Sequence, residues 1–292
     1  MRTVRTVSEL RAALNAPRRA QQTIALVPTM GALHDGHRAL MRHAATLCDV
    51  VVVSLFVNPT QFAPGEDLDA YPRHEPRDAE IAAETGVDLL FAPATAEVYP
   101  DGFATTVTVA GELTDVLEGV SRGAEHFAAV TTVVLKLLNI VDPEIAVFGQ
   151  KDAQQAAVVR RMVRDLDVAV RVEVCPTVRD GDGLALSSRN AYMSESERER
   201  ALALKRALEA AEREVAGGER DAGHVAACAR GEMSRLGVEP EYVELVDPQT
   251  MRPLSTLNGE ALLALAARVG RTRLIDNTLL RTASSKTDST PS

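Results

Sequence analysis

Apolar residues fall in two alternating rhythms from the N-terminus to about residue 175. Short runs predict strands at Thr3–Thr6, Thr23–Val27, Asp49–Val57, Val87–Ala92, Glu144–Phe148 and Val170–Val174. The run Asp49–Val57 is almost continuously apolar, as expected of a strand covered on both faces. Stripes of helical spacing lie between the runs. His37, Leu40, Met41, Ala44, Ala45 and Cys48 share one helix face, and further helices are predicted after Ser8 and at Pro76–Thr85, Phe127–Ile140 and Asp152–Asp165. Thr105–Ala110 alternates and predicts one more strand, at a sheet edge or an interface. Strands alternating with helices give an α/β fold, a Rossmann-like parallel sheet with helices on both faces.

The pattern changes after Asn190. Ser194 opens a long helix, with Glu197 completing a capping box, and a second helix (Val225–Leu236) and strands near Tyr242–Val246 and Ala261–Ala267 follow. The expected division is a larger domain over 1–185, a smaller α+β domain over 186–281, and a disordered Ser- and Thr-rich tail over 282–292.

Ligands of such sheets bind where strands end, and the polar loops of this chain follow strands. Pro28–His37 joins a strand to a helix and carries Gly31, Gly36, His34 and His37. A helix start offers unpaired N–H groups and a positive dipole end to an anion, and the histidines add donors. An ordinary strand-to-helix turn with solvated histidines is the competing reading. Gly149-Gln150-Lys151-Asp152 also opens a helix; Lys151 supplies a point charge, while Asp152 with Gln155 also fits a plain helix cap. Leu186-Ser187-Ser188-Arg189 offers hydroxyls and a guanidinium to a triphosphate. Gln61 and Gln155 have amides suited to a hydroxy acid. Asp67, Asp69 and Asp78 are candidates to reach a magnesium ion held on phosphates, and Arg122 and His126 precede the long helix.

Composition narrows the function further. The 292-residue chain has a formal net charge of −9, which argues against a non-specific nucleic-acid binder. Its three cysteines lie far apart without metal-ligand spacing, and Cys48 and Cys175 sit in apolar runs. No apolar run has transmembrane length and the first residues lack a signal-peptide core, so a cytoplasmic setting without membrane contact is expected.

Together these segments resemble the pantoate–beta-alanine ligase family over about residues 1–281. The carrying motifs are PTMGALHDGH at 28–37, VNPTQF at 57–62, DLDAYPR at 67–73, KLLNIVDPEIAVFG at 136–149, PTVRDGDGLALSSRN at 176–190 and TRLIDN at 272–277. The histidine motif alone indicates only the wider nucleotidylyltransferase superfamily.

The resemblance implies an ATP-dependent ligase. Pantoate attacks Mg-ATP to give pantoyl adenylate and pyrophosphate, and the amine of β-alanine then displaces AMP. It implies that ATP lies against Met30, Gly31, Ala32, Leu33, His34, Asp35, Gly36, His37, Gly149, Gln150, Lys151, Asp152, Val178, Leu186, Ser187, Ser188 and Arg189. Among these, His37 is the expected proton donor, and His34, Lys151, Ser187, Ser188 and Arg189 face the phosphates. Gln61 is implied for pantoate and β-alanine, Gln155 for pantoate, and a homodimer through the N-terminal domain for the assembly; the domain over 1–185 then holds nucleotide and pantoate and the smaller domain closes over the site. Arg122 stays a candidate for substrate binding and Asp78 the candidate at Mg2+.

The chain departs from the family pattern in three ways. GQKDAQQ replaces GEKDYQQ, placing Gln150 and Ala153 where Glu and Tyr are usual. The usual RPGHF becomes Arg122-Gly123-Ala124-Glu125-His126-Phe127, one residue longer. A related adenylyl-transferring enzyme acting on another acid or amine, and a nucleotide-binding protein without turnover, are the alternatives.

Overall fold

The computed structural model describes residues 1–62 and 68–282. It divides into two compact units. The first comprises Met1–Asp180 with Ala185–Ala191, and the second comprises Gly181–Leu184 with the chain from Tyr192 onward. The break therefore does not fall cleanly at residue 185. The segment 185–191 stays with the first unit because Ala185 bridges to Arg179 and the Leu186 N–H donates to the Val178 carbonyl at 3.0 Å.

In the first unit six strands form one parallel sheet in the order β1-β4-β3-β2-β5-β6. They are β1 (Arg2–Val4), β2 (Ile24–Thr29), β3 (Val50–Leu55), β4 (Leu89–Phe91), β5 (Ile145–Gly149) and β6 (Arg171–Cys175). The helices are α1 (Val7–Arg19), α2 (Asp35–Leu47), α3 (Glu75–Glu84), the short α4 (Thr95–Val98), α5 (Glu112–Asp115) and α6 (Glu118–Arg122), then α7 (Ala124–Val141) and α8 (Ala153–Asp165).

Alternation along the strands explains how both faces are covered. Ile24, Leu26, Val50 and Val52 pack with α1, α7 and α8, whereas Ala25, Val27, Val51 and Val53 pack with Met41 and Ala44 of α2 and Ile81 of α3. Helix α7 has the length and hydropathy of a membrane span, but its apolar side chains pack into this core.

Chain order reverses between β2 and β5, so the sheet has its topological switch point there, the place where such sheets bind ligands.

The predicted strand at Thr105–Ala110 is absent. Its backbone is held by side chains of α7: the Val107 N–H donates to Thr132 Oγ1 at 2.9 Å, and Thr131 Oγ1 donates to the Val107 carbonyl at 2.6 Å. With its hydrogen bonds met in this way, the segment does not join the sheet.

The second unit contains α9 (Glu195–Ala216), α10 (Ala222–Arg235) and an antiparallel sheet of β7 (Pro240–Val246), β8 (Glu260–Val269) and β9 (Thr272–Arg281) around its own apolar core. The capping box of Ser194 and Glu197 is present. Strand β9 is an element that the apolar pattern does not mark. Thr282, placed in the expected disordered tail, donates its N–H to the Gly259 carbonyl at 2.9 Å, and the remainder of that tail lies outside the described residues.

Candidate active site

The loop after β2 is built by two residues that bracket it. Gly31 has φ +87°, and a Cβ there would lie 2.9 Å from Leu55 Cδ1 and 3.0 Å from Asp78 Oδ2, so only glycine fits. Asp78, on α3, is 2 % exposed and accepts the N–H groups of Ala32 at 3.1 Å and Leu33 at 2.8 Å. Both oxygens of Asp78, the residue expected at Mg2+, are thus engaged by the loop backbone. Its carboxylate turns inward to hold the loop backbone. Among the described residues no group of three or more His, Cys, Asp or Glu forms a metal cage. Asp67 lies outside the described residues, and Asp69 is exposed.

The start of α2 is capped by its histidines. His34 is the N-cap, with Nδ1 accepting the Gly36 N–H at 3.1 Å, and His37 Nδ1 accepts the His34 N–H at 3.3 Å. Two backbone donors thus assign both rings as acceptors at Nδ1, which leaves Nε2–H as the donor of each. The ring centroids are 4.1 Å apart. Burial, helped by the charge of Lys151, lowers the pKa of His34 to about 4, and burial, then His34 and Lys151, lower that of His37 to about 3. The pair is therefore neutral near pH 7. His37 there is a neutral hydrogen-bond donor, not a charged acid. Asp35, exposed in the first turn, opposes the shift of His34.

Lys151 comes from a short 3-10 turn, Gln150–Asp152, directly after Gly149 of β5. Asp152 is the N-cap of α8 but makes no side-chain cap bond, so the capping box with Gln155 does not form. The third wall is Val178 and Leu186, joined backbone to backbone; a Cβ on Gly36 would lie 3.8 Å from Leu186 Cβ. Ser187 Oγ accepts the Arg189 N–H at 3.3 Å, and Ser188 Oγ is 3.4 Å from the Tyr71 hydroxyl. Tyr71 packs edge-on against Phe62 with centroids 5.8 Å apart, which links this wall to the loop carrying Gln61.

Gln61 ends a 3-10 turn after β3, and its amide orientation is set by Asn58. Asn58 is 1 % exposed, and its Nδ2 donates to Gln61 Oε1 at 3.0 Å and to the Ala129 carbonyl at 3.4 Å. His126 Nδ1 lies 3.0 Å from the Gln61 carbonyl, which gives that residue a place beside Gln61. Gln155 is half-buried on α8, and Met30, directly after β2, is also half-buried. Arg122 closes α6, directly before Gly123 with φ +80°.

Two residues of this region are not evident from the sequence. Asn58 precedes a proline and reads as a turn residue. Gln154, 5 % exposed, donates from Nε2 to the carbonyls of Leu113 and Val116, each at 2.9 Å, and accepts the Glu118 N–H at 3.0 Å. Its spacing four residues before buried Val158 is the available signal. On the other half of the rim a cavity of about 530 Å³ is bordered by Met30, Gly31, Asp78, Arg73, His74 and Glu97; neither Gln61 nor Gln155 lines it.

Comparison with known proteins places the chain in a family. The family model described as pantoate-beta-alanine ligase matches residues 2–279. The pantothenate synthetase of Heliobacterium modesticaldum is 51% identical over 281 residues, covering 95% of this chain and 98% of the relative. That of Pelotomaculum thermopropionicum is 50% identical over 279 residues, covering 94% and 97%. The crystal structure of pantothenate synthetase from Thermus thermophilus superposes with a TM-score of 0.91 at 47% identity, covering 95% of this chain and 99% of that one. A ligase from Francisella tularensis, solved as a complex with beta-gamma ATP and beta-alanine, gives a TM-score of 0.79 at 35% identity, covering 96% and 97%. Matched by the family model over residues 2–279 and by relatives about 50% identical over nearly all of its length, the chain belongs to the pantoate–beta-alanine ligase family.

Proposed function

We propose that the protein joins (R)-pantoate to β-alanine in two ATP-dependent steps at the carboxyl ends of β2, β3, β5 and β6. In the first, a pantoate carboxylate oxygen attacks the α-phosphorus of ATP and pyrophosphate leaves. In the second, the β-alanine amine attacks the acyl carbon of the adenylate and AMP leaves. Neither step needs a protein nucleophile, so the residues act by positioning and by stabilising charge.

The observation that carries this reading is the neutral histidine pair beside Lys151. Both rings are fixed at Nδ1, so both Nε2–H groups are preorganised donors for oxygens that gain charge as pyrophosphate departs. Lys151 adds a full positive charge, and Ser187, Ser188 and Arg189 extend the same anion site. The remaining contacts in this reading are Gly149, Gln150, Asp152 and Val178 along the nucleotide, Gln61 and Gln155 on pantoate, and Arg122 as a further substrate-binding candidate. Gln61 also serves β-alanine. Mg2+ enters as the Mg-ATP complex, coordinated by phosphates and water as is usual for this ion. We place the reaction in the cytoplasm, in keeping with three unbridged thiols, Cys48, Cys175 and Cys228, and expect a homodimer through the first unit.

The deciding experiment measures pyrophosphate and AMP release from Mg-ATP with pantoate, β-alanine, both or neither. Pyrophosphate with pantoate, and AMP only when both are present, is the expected result. ATP binding without turnover overturns the proposal in favour of a nucleotide-binding protein. Turnover with a different acid favours a related adenylyl transferase.

A further inference from the structure

We propose that Tyr99 is a positioning residue for the substrate amide of Gln61, acting through Asn58. Tyr99 follows the short helix α4, and its ring is held between Phe56, at 6.1 Å between centroids, and Phe103, at 5.1 Å. Its hydroxyl donates to Asn58 Oδ1 at 2.9 Å, and Thr60 Oγ1 donates to the same oxygen at 2.9 Å.

The direction of this chain of bonds is determined. The Ala129 carbonyl can only accept, so the atom of Asn58 facing it is Nδ2. The same Nδ2 faces Gln61, so the Gln61 atom receiving it is Oε1. Gln61 then turns its Nε2 away from Asn58, and its two N–H groups are offered to a ligand that accepts hydrogen bonds. A carboxylate or hydroxyl oxygen fits; a donor group does not. All four hydrogen-bonding positions of buried Asn58 are used, two by hydroxyls on one side and two by carbonyl oxygens on the other. Removing the Tyr99 hydroxyl leaves a buried amide oxygen with one partner and loosens the lever that aims Gln61. Burial also raises the pKa of Tyr99 above its ordinary value of 10, so the phenol keeps its proton over the working pH range.

The proposal rests on Gln61 as a pantoate ligand, and the test separates the two. Tyr99→Phe keeps the ring packing and removes one oxygen. Its melting temperature should stay near the parent's. Its KM for pantoate should rise about tenfold, the scale of one lost buried hydrogen bond, with KM for ATP within about twofold. Adding Tyr99→Phe to Gln61→Ala should raise KM for pantoate by less than about twofold further, because the lever then has nothing to aim. Unchanged pantoate KM in Tyr99→Phe, or a full additional effect in the Gln61→Ala background, overturns the relay while leaving Gln61 in place. Unchanged pantoate KM in Gln61→Ala removes Gln61 from the substrate site and the relay with it.

Discussion

The imidazole of His34 lies so close over Gly36 that a Cβ on residue 36 would sit 2.8 Å from His34 Cε1 and 2.9 Å from Nδ1. The glycine of the motif is therefore space for a ring, not merely freedom for a turn. Gly36→Ala should push His34 out of its cap and lower pantoate-dependent pyrophosphate release by about two orders of magnitude, the scale of a lost transition-state donor. Circular dichroism should show the fold intact. Activity within about threefold of the parent would remove the ring position from the mechanism.

Acid should destabilise the protein through the same pair. His34 and His37 titrate near 4 and 3 when folded and near 6.5 when unfolded, so between those values the unfolded chain binds more protons. Stability is then fully present above about pH 6.5 and falls as pH drops toward 4, by about 1.4 kcal/mol per unit of pKa gap. His37→Asn retains an acceptor for the His34 N–H and no longer titrates. Urea unfolding at pH 7 and 4.5 should show a smaller loss for this variant, by on the order of a few kcal/mol. Equal losses would mean that the ring is not buried in its neutral form.

Asp78→Asn distinguishes a loop clamp from a metal ligand. The clamp predicts a raised KM for ATP and a stability loss of about 1–3 kcal/mol, because two backbone N–H groups lose their carboxylate. The Mg2+ concentration for half-maximal rate should not change. A Mg2+ requirement raised about tenfold at saturating ATP would instead establish the metal role.

Gln155→Ala should raise KM for pantoate at least about tenfold more than KM for ATP, as for a lost substrate hydrogen bond. Steady-state kinetics with each substrate varied in turn checks it, and equal changes in both would place Gln155 on the nucleotide instead.

Local chemistry makes part of this molecule legible in its sequence. The apolar runs of β2 and β3 and the glycines and histidines of residues 31–37 state their geometry through residue type alone. What stays hidden depends on partners far along the chain. Asp78 reads as any acidic residue until Ala32 and Leu33 are seen to donate to it. Thr105–Ala110 alternates like a strand, yet Thr131 and Thr132 of α7 take its backbone bonds. Strand β9 carries buried Asp276 and Asn277, so its apolar alternation is broken where it packs. Leu186–Arg189 follow a turn signal, but the bridge to Val178 and Arg179 binds them to the first unit.

The neighbouring glutamines of α8 differ in burial, Gln154 enclosed and Gln155 half-exposed, and this bears on how the gene can change length. Gln154 is locked beneath three backbone groups of residues 113–118, with Val158 and Met162 continuing its buried stripe. The rotational phase of α8 is thereby fixed, and with it the bearing of Gln155, one residue and about 100° further round. Lys151 is tied to that phase by the few residues between. One codon gained or lost between Gly149 and Gln155 would separate the lysine from the amide by a quarter-turn or more, whereas the Leu166–Val170 connection carries no such constraint. Homologous genes should accumulate insertions and deletions in the second place and not in the first.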